Sequence, residues 1–237
     1  MARKTSVWAV IAAGILLASM LSGCTSPYQT RTYDVSDFDR IAIDTFGEVL
    51  IEQGDQESVS IEAPRDYLRY VTAEVDNSTL EISTRRGYIG GPIQRVTYTI
   101  MVRDLKEISL GGAGAIKIFA LDTDKLDINL SGAGSVEIDD LNAERLDIKL
   151  ASAGAIVAAG EADYQEVSIT GLGSYEGGDL RTNSTEILLT GAGSAVVWAE
   201  QELEIELSGV GSVSYFGNPD VFQDISGLGS VNSKGAR

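Results

Sequence analysis

The stretch Ser131-Gly132-Ala133-Gly134-Ser135-Val136-Glu137-Ile138 governs the architecture of this chain, because variants of it recur along the sequence. The related units are Gly111-Gly112-Ala113-Gly114-Ala115, Ala151-Ser152-Ala153-Gly154-Ala155, Thr170-Gly171-Leu172-Gly173-Ser174, Thr190-Gly191-Ala192-Gly193-Ser194, Ser208-Gly209-Val210-Gly211-Ser212 and Ser226-Gly227-Leu228-Gly229-Ser230. The second glycines stand at positions 114, 134, 154, 173, 193, 211 and 229, a spacing of 18 to 20 residues. A repeat of this period is typical of a solenoid.

Apolar residues alternate with polar ones on both sides of each glycine unit. Before the glycines, one column holds Ile108, Ile128, Ile148, Val167, Ile187, Ile205 and Gln223, and a second holds Leu110, Leu130, Leu150, Ile169, Leu189, Leu207 and Ile225. After the glycines, a third column holds Ile116, Val136, Ile156, Tyr175, Ala195, Val213 and Val231. A period of two places each column on one face of a strand, so all three are expected to point inward. The pattern predicts an all-β fold, a single parallel β-helix with rungs of about 18 to 20 residues stacked about 4.8 Å apart.

The glycine unit is predicted to form a stacked corner between two strands. Such a corner favours residues that tolerate positive φ and leaves no room for side chains. We expect its middle residue, such as Ala133 or Leu172, to point into the core. Ser152 replaces the first glycine once, whereas the second position is glycine in every unit, so the second position is predicted to be more demanding.

The β-helix domain is predicted to span residues 38–237. Residues 38–51 form an early, imperfect repeat with Gly47 in the second-glycine position, and regular repeats occupy 105–233. Within the irregular part, 38–104, residues 52–104 have strand composition without the glycine signature. We expect them to form longer turns of the same stack, with a short helix around Tyr67 to Tyr70.

The first part of the chain has the features of an export signal. Arg3 and Lys4 precede an apolar run of about 14 residues, which suits a signal peptide and is short for a membrane span of about 20. Leu21-Ser22-Gly23-Cys24 resembles the lipobox of bacterial lipoproteins. That resemblance implies cleavage after a signal peptide at 1–23, lipid on Cys24 and a short tether over 24–37. Thr25, rather than Asp, follows the cysteine and gives no signal for retention in the inner membrane, so the outer membrane is the expected destination in a host with two membranes. An ordinary signal peptide with a chance cysteine is the alternative.

Charge and composition exclude several functions. The net charge of −17 argues against binding nucleic acid or an anionic membrane surface through a basic patch. The sequence has no histidine and a single cysteine, which removes histidine-based catalysis and any internal disulfide. The glycine units lack both the dinucleotide fingerprint and the aspartates of calcium-binding nonapeptide repeats. We therefore predict no cofactor and no enzymatic activity.

A column of acidic residues lies five positions before the first glycine of successive units. Its members are Glu107, Asp127, Asp147, Glu166, Glu186 and Glu204. Carboxylates about 4.8 Å apart would repel one another and attract divalent cations such as calcium. The column can therefore be a weak cation ladder, or a solvated face that prevents aggregation and is relieved by Lys125 and Lys149.

One local cluster is basic and aromatic. Arg85, Arg86, Tyr88 and Arg95 flank or occupy a loop rich in glycine. They are candidates for contact with an anionic glycan, and the alternative is a plain loop.

The repeats L-D-I-x-L-S-G-A-G-S-V-x-I, the opening Phe38-Asp39-Arg40-Ile41 and the lipobox together resemble the putative auto-transporter adhesin head GIN domain family. The resemblance covers roughly residues 38–220. It implies a right-handed β-helix in secreted or lipid-anchored bacterial surface proteins, and it supplies no catalytic residues.

These observations predict an exported, lipid-anchored surface protein that acts as a non-catalytic adhesion or binding module. Its expected partners are the membrane, through the lipid, and a surface glycan or protein. The alternatives are a cell-envelope scaffold that self-associates by end-to-end stacking through the edge left open by its last rung, and a polysaccharide-active enzyme. An enzyme would need carboxylates grouped in a cleft, and a scaffold would need uncovered ends.

Overall fold

The computed structural model describes residues 27–85 and 95–237. The predicted signal peptide, Cys24, Arg86 and Tyr88 lie outside these ranges. The strands are β1 (Tyr28–Tyr33), β2 (Arg40–Asp44), β3 (Phe46–Gln53), β4 (Ser58–Pro64), β5 (Val71–Asp76), β6 (Thr79–Thr84), β7 (Thr97–Val102), β8 (Glu107–Leu110), β9 (Ala113–Ile118), β10 (Leu121–Leu130), β11 (Ser135–Leu150), β12 (Ala155–Ile169), β13 (Ser174–Leu189), β14 (Ser194–Leu207), β15 (Val210–Phe216), β16 (Asp220–Ile225) and β17 (Leu228–Ser233). A 3-10 helix spans Tyr67–Arg69. No helix in the described ranges is long and apolar enough to cross a membrane.

The predicted solenoid is confirmed: parallel strands stack into a β-solenoid of about six turns. We call one turn a rung. The pre-glycine sheet contains β6, β2, β8, the second halves of β10 to β14, and β16. The post-glycine sheet contains β7, β3, β9, the first parts of β11 to β14, β15 and β17. A third sheet of short segments closes each full rung, with Leu121 beside Leu141 and Ala162 beside Thr182.

The core follows the columns that the alternation predicts. Ile128 pairs in register with Ile108 on one side and Ile148 on the other, and all three are buried. Val136 and Ile156 form the same kind of buried stack after the glycines. Like residues therefore pack on like residues along the solenoid axis, which buries a continuous apolar column inside the coil.

The spatial order of the rungs differs from their order in the sequence. β2 and β3 form the rung directly beneath β8 and β9, with Arg40 opposite Glu107 and Phe46 opposite Ala113. The intervening residues lie on the opposite side of that rung. Within 52–104, β6 and β7 pair parallel with β2 and β3, so this part continues the stack as the expected longer turn, but below the β2–β3 rung rather than between it and β8.

The remaining strands of this segment, β4 and β5, form an antiparallel cap on that turn. β5 pairs antiparallel with β6, and β4 pairs antiparallel with β7. The 3-10 helix, close to where we expected a helix, buries Tyr67 and Leu68 over the end of the core. The Tyr67 hydroxyl lies 2.9 Å from the Tyr98 hydroxyl, and burial raises the pKa of Tyr98 above its usual value. The cap thus satisfies its buried polar groups internally.

The tether expected over 24–37 is shorter than the sequence indicated. Tyr28–Tyr33 form β1, which adds to β4 in antiparallel register, with Tyr33 opposite Val59. Tyr33 is partly buried against the core. This stretch lacks hydrophobic alternation because it is an exposed edge strand, which buries too little on either face to need it.

The glycines of the seven regular units are required by close stacking, and the expected positive φ is wrong for them, although Gly47 of the early repeat does have it. Positive φ among the glycines is confined to Gly47, Gly160, Gly217 and Gly235 in the described chain. A Cβ placed on Gly134 would lie 2.2 Å from the Gly114 carbonyl oxygen. A Cβ on Gly132, in the first-glycine position, would lie 1.9 Å from the Gly112 carbonyl oxygen. Both positions therefore hold the backbone of one rung against the next, and the first is at least as crowded as the second.

The middle residue of each unit points outward, contrary to our expectation. Ala113, Ala133 and Ala153 are exposed, and Leu172 retains 69% of its accessible surface. At the corner the two flanking glycines approach the preceding rung, so the residue between them projects away from the core. Alanine at this position reflects a solvent-facing ridge rather than core packing.

Candidate functional site

The third sheet forms an open groove of about 320 Å³, which we call the polar groove. Its floor is a stacked column of small buried residues, Thr123, Ala143, Ala162 and Thr182. Its walls are two polar columns, one of Asp122, Asn142, Glu161 and Arg181 and the other of Asp124, Glu144, Asp163 and Asn183. The column of small residues lies between the two polar columns, at the bottom of the depression.

The groove begins at Asp122, in the first rung of the third sheet, and the Gln53 side chain closes this end. Gln53, the last residue of β3, accepts a hydrogen bond from the Asp122 backbone N–H at 2.9 Å. Its Nε2 donates to the Asp122 carbonyl oxygen, also at 2.9 Å. The Gln53 amide thereby replaces a missing strand, so the groove's first rung keeps its backbone groups paired.

The floor threonines are held by internal hydrogen bonds. Thr123 Oγ1 donates to Asp104 Oδ1 at 3.0 Å. Thr182 Oγ1 donates to the Trp198 carbonyl oxygen at 2.7 Å and lies 2.6 Å from Thr185 Oγ1. The floor is therefore rigid, and the groups left to contact a ligand are those of the walls.

The walls combine acceptors, amides and one guanidinium. Asn183 Nδ2 donates to Asp163 at 2.9 Å across neighbouring rungs. Arg181, the one basic wall residue, lies 3.5 Å from Glu200. The remaining charges are carboxylates, so the groove attracts neutral polyhydroxyl or cationic groups and repels anions.

Sequence reasoning did not find this groove. The sequence feature that could have indicated the groove is a break in the apolar columns. Threonine and alanine recur at inward positions where the other columns carry isoleucine, leucine or valine. A column of small residues between two polar columns indicates a depression, but only if the third strand's register is already known.

The predicted carboxylates do form one column. Strand pairing places Glu107 beside Asp127, Asp127 beside Asp147, Asp147 beside Glu166, Glu166 beside Glu186 and Glu186 beside Glu204. The register read from the sequence is therefore confirmed for all six residues. Arg40 continues the column at the capped end and Phe222 at the other.

Basic side chains neutralise the middle of this column. Lys125 lies 3.1 Å from Asp127 and 3.0 Å from Asp147. Arg145 donates to Asp147 at 2.9 Å and to Glu166 at 2.6 Å. Although burial of Asp147 disfavours its charged form, hydrogen bonds from Arg145 and Lys125 prevail and lower its pKa below the usual value.

Hydrogen bonds engage two further members. Tyr164 donates to Glu186 at 2.7 Å, and burial together with this bond raises the pKa of Tyr164 to about 12. Glu107 accepts from Asn129 Nδ2 at 3.3 Å. Within the described ranges, no group of three or more acidic or cysteine side chains converges on a point where a metal ion could sit. The carboxylates lie along a line, and whether they bind cations weakly stays a hypothesis.

The predicted basic cluster is only partly described. Arg85 lies 3.8 Å from Glu74 on β5, and Arg95 lies 2.7 Å from Glu48 on β3. Both residues thus belong to the antiparallel cap and the rung beneath it, and each faces a carboxylate. Contact with an anionic glycan stays a hypothesis for these residues.

Comparison with known proteins identifies the family of this chain. A family model described as putative auto-transporter adhesin, head GIN domain, matches residues 37–219, so the chain belongs to that family. A crystal structure of a putative adhesin from Bacteroides fragilis has a TM-score of 0.86 and 27% identity, covering 88% of this chain and 98% of that one. A putative lipid binding protein from Parabacteroides distasonis has a TM-score of 0.73 and 23% identity, with coverage of 87% and 96%. The comparison with curated proteins finds no match.

A further putative adhesin, from Parabacteroides merdae, shares the fold with a TM-score of 0.65 at 20% identity, covering 87% of this chain and 95% of that one. The family and these neighbours are described as adhesins or binding proteins and not as enzymes. The chain is therefore an adhesin-like β-solenoid protein.

Proposed function

We propose that this protein is exported, lipid-anchored through Cys24, and acts as a non-catalytic module that binds a glycan at the cell surface. Family membership and the lipobox support export and anchoring. In a host with two membranes the anchor lies in the outer membrane. The observation that carries the binding role is the polar groove, because its walls present carboxylate, amide and guanidinium side chains to one depression.

The chemistry of the groove selects the ligand class. Its walls offer carboxylate oxygens, two asparagine amides and the Arg181 guanidinium, which together pair with vicinal hydroxyl groups. A volume of about 320 Å³ admits a short saccharide segment rather than a globular partner. The excess of carboxylates favours neutral or amino sugars over uronic acids.

We infer that the groove binds a glycan without cleaving it, because the family and its structural neighbours are described as adhesins or binding proteins and not as enzymes. Its carboxylates do lie in a cleft, as those of a glycosidase would, so a cleavage assay is part of the test. The floor hydroxyls are engaged with Asp104 and the Trp198 carbonyl. Binding by wall side chains without turnover is what this arrangement supports.

A glycan array with the full chain in mild detergent tests the binding proposal. Glu161→Ala and Arg181→Ala should each weaken binding at least tenfold, because each removes two or more hydrogen bonds to a sugar. Glu176→Ala, which removes an exposed carboxylate from the post-glycine sheet, is the matched control and should bind as wild type. Unchanged binding by both groove variants would refute the site, and release of reducing ends from any bound polysaccharide would refute the non-catalytic role.

Anchoring is tested separately. Wild-type protein should fractionate with membranes and carry acyl chains detectable by mass spectrometry on its N-terminal peptide, whereas Cys24→Ser should not be acylated. An unmodified Cys24 in mature wild-type protein would contradict the anchor without affecting the binding proposal.

A further inference from the structure

The two ends of the solenoid differ in how they close the core. At one end the antiparallel cap covers it, leaving Tyr67 2% and Leu68 1% exposed. At the other end the last rung consists of β16 and β17. Neither strand has a partner on its outer side in the part of the chain that the structure describes.

The inward positions of the last rung are uncovered. Ile225 continues the buried column of Leu189 and Leu207, yet it is 39% exposed. Gln223 takes the position of Ile205 in the rung below, and Ser233 takes that of Tyr215. Phe222 replaces the acidic side chain of its column and is 59% exposed, and Leu228 on the corner ridge is 80% exposed.

This rung combines free backbone hydrogen-bonding groups with apolar side chains on one open edge. Isolated edges of this kind recruit another strand. We propose that a second copy of this chain covers it, so that the protein forms a closed tail-to-tail dimer about a two-fold axis at the Gly227 corner. This inference goes beyond the binding function and does not depend on it.

The alternation of inward and outward side chains along β16 and β17 fixes the register of such a dimer. A two-fold axis perpendicular to the solenoid and through Gly227 lays β16 antiparallel on β17 of the second copy, and β17 on β16. Inward residues must face inward residues, since a slip by one position would turn every side chain to the other face. Pairing positions symmetric about 227 satisfies this rule: Ile225 meets Gly229, Gln223 meets Val231 and Val221 meets Ser233 of the second copy.

The outward positions are complementary in this register. Asp220 falls opposite Lys234 of the second copy, and symmetry provides this opposite-charge pair twice. Asp224 falls opposite Ser230, and Phe222 falls opposite Asn232. The two Leu228 side chains lie one residue from the axis and shield each other from water.

Other self-pairings are less favourable. If the axis passed through the middle of β16 at Phe222, Asp220 would face Asp224 of the second copy, and like charges directly opposite destabilise a sheet. That arrangement would also pair one strand per copy, whereas the Gly227 axis pairs two. Because the capped end presents no equivalent rung, the assembly stops at two copies and does not grow into a filament.

Cysteine cross-linking in the full chain tests this register. Phe222→Cys/Asn232→Cys places two thiols opposite each other across the interface, where mild oxidation should yield a covalent dimer on a non-reducing gel. Each single variant should yield at least fivefold less, because neither position faces itself. The matched control is Glu204→Cys/Ser214→Cys, which occupies the same two columns one rung deeper and should also yield at least fivefold less. Cys24 is present in every variant and sets a common background.

Exchanging the charges of Asp220 and Lys234 in the Phe222→Cys/Asn232→Cys variant provides a second measurement. Asp220→Lys should reduce dimer yield two- to tenfold, and adding Lys234→Asp should restore it, because exchange recreates the opposite-charge pair. Wild-type protein should sediment in detergent with twice the polypeptide mass. Equal cross-linking in the test and control pairs, a monomeric mass, or a ladder of higher multimers would each overturn the proposal.

Discussion

The Arg145 guanidinium lies over the Tyr164 ring, 4.4 Å from its centroid, although the two residues belong to successive rungs. The contact orients Arg145 so that it also reaches Asp147 and Glu166 in the adjacent acidic column. The stacked rungs thus place a column with basic side chains, Lys125 and Arg145, directly beside the middle of the acidic column. The neighbouring column is basic or aromatic beside Asp127, Asp147 and Glu166, where it holds Lys125, Arg145 and Tyr164, and it changes to Ser184 and Glu202 beside Glu186 and Glu204.

Asp147 should make stability depend on pH. Its pKa is lower in the folded protein than its usual value, so its contribution is present above that value and is lost as the pH falls through the folded pKa. We expect Asp147→Asn to lower the free energy of unfolding by about 1–2 kcal/mol at pH 7. The difference from wild type should shrink below about pH 4, as measured by denaturant titration at several pH values. The exposed Glu176→Gln is the control, and a difference that grows on acidification would contradict the assignment.

Gly134→Ala should be severely destabilising, by about 3 kcal/mol or more. Its Cβ would lie 2.2 Å from the Gly114 carbonyl oxygen, so two rungs would have to separate. Ala133→Ser, one residue away on the exposed ridge, should change stability by less than about 0.5 kcal/mol. Thermal unfolding by circular dichroism compares the two, and equal effects would show that rung spacing at the corner is not the constraint.

Leu172→Ala tests the outward direction of the ridge. Because Leu172 is 69% exposed, its truncation should cost less than about 0.5 kcal/mol. Leu150→Ala, a buried leucine of the neighbouring rung, should cost about 2–5 kcal/mol through the cavity it leaves. Denaturant unfolding distinguishes them, and a loss of several kcal/mol for Leu172→Ala would mean that the middle residue packs in the core after all.

The buried pair Gln165 and Tyr175 should show strong coupling. Gln165 Nε2 donates to the Tyr175 hydroxyl at 2.6 Å, and burial raises the pKa of Tyr175 above its usual value. Tyr175→Phe alone should cost about 1–3 kcal/mol because it leaves the buried amide without this partner. Adding Gln165→Leu should recover part of that loss, whereas strictly additive single effects in the double-mutant cycle would argue against it.

Millimolar calcium should leave the melting temperature of the wild-type protein unchanged. Lys125 and Arg145 occupy the space beside the central carboxylates that a bound ion would need. Differential scanning calorimetry of dialysed protein, with magnesium as the control, measures this directly. A rise in melting temperature with calcium would instead show that the carboxylate column binds cations.

The sequence by itself determined the regular part of the molecule. The period of the glycine units and the alternation around them specify which residues stack, so Ile128 on Ile148 and Asp127 on Asp147 could be read directly. It also indicated the family, through the repeat pattern and the opening at Phe38. These features are local and periodic, and each rung repeats the environment of the one before.

Tertiary structure alone decided what breaks the period. β4 and β5 reverse direction and cap the coil because they pair antiparallel with β7 and β6, which no repeat pattern encodes. The outward direction of Leu172 follows from the approach of the flanking glycines to the previous rung, a contact between residues about twenty positions apart. The polar groove and the open last rung also depend on contacts between rungs. A depression or an exposed edge is defined by which neighbouring residues are present, and this is a property of the stack rather than of any one rung.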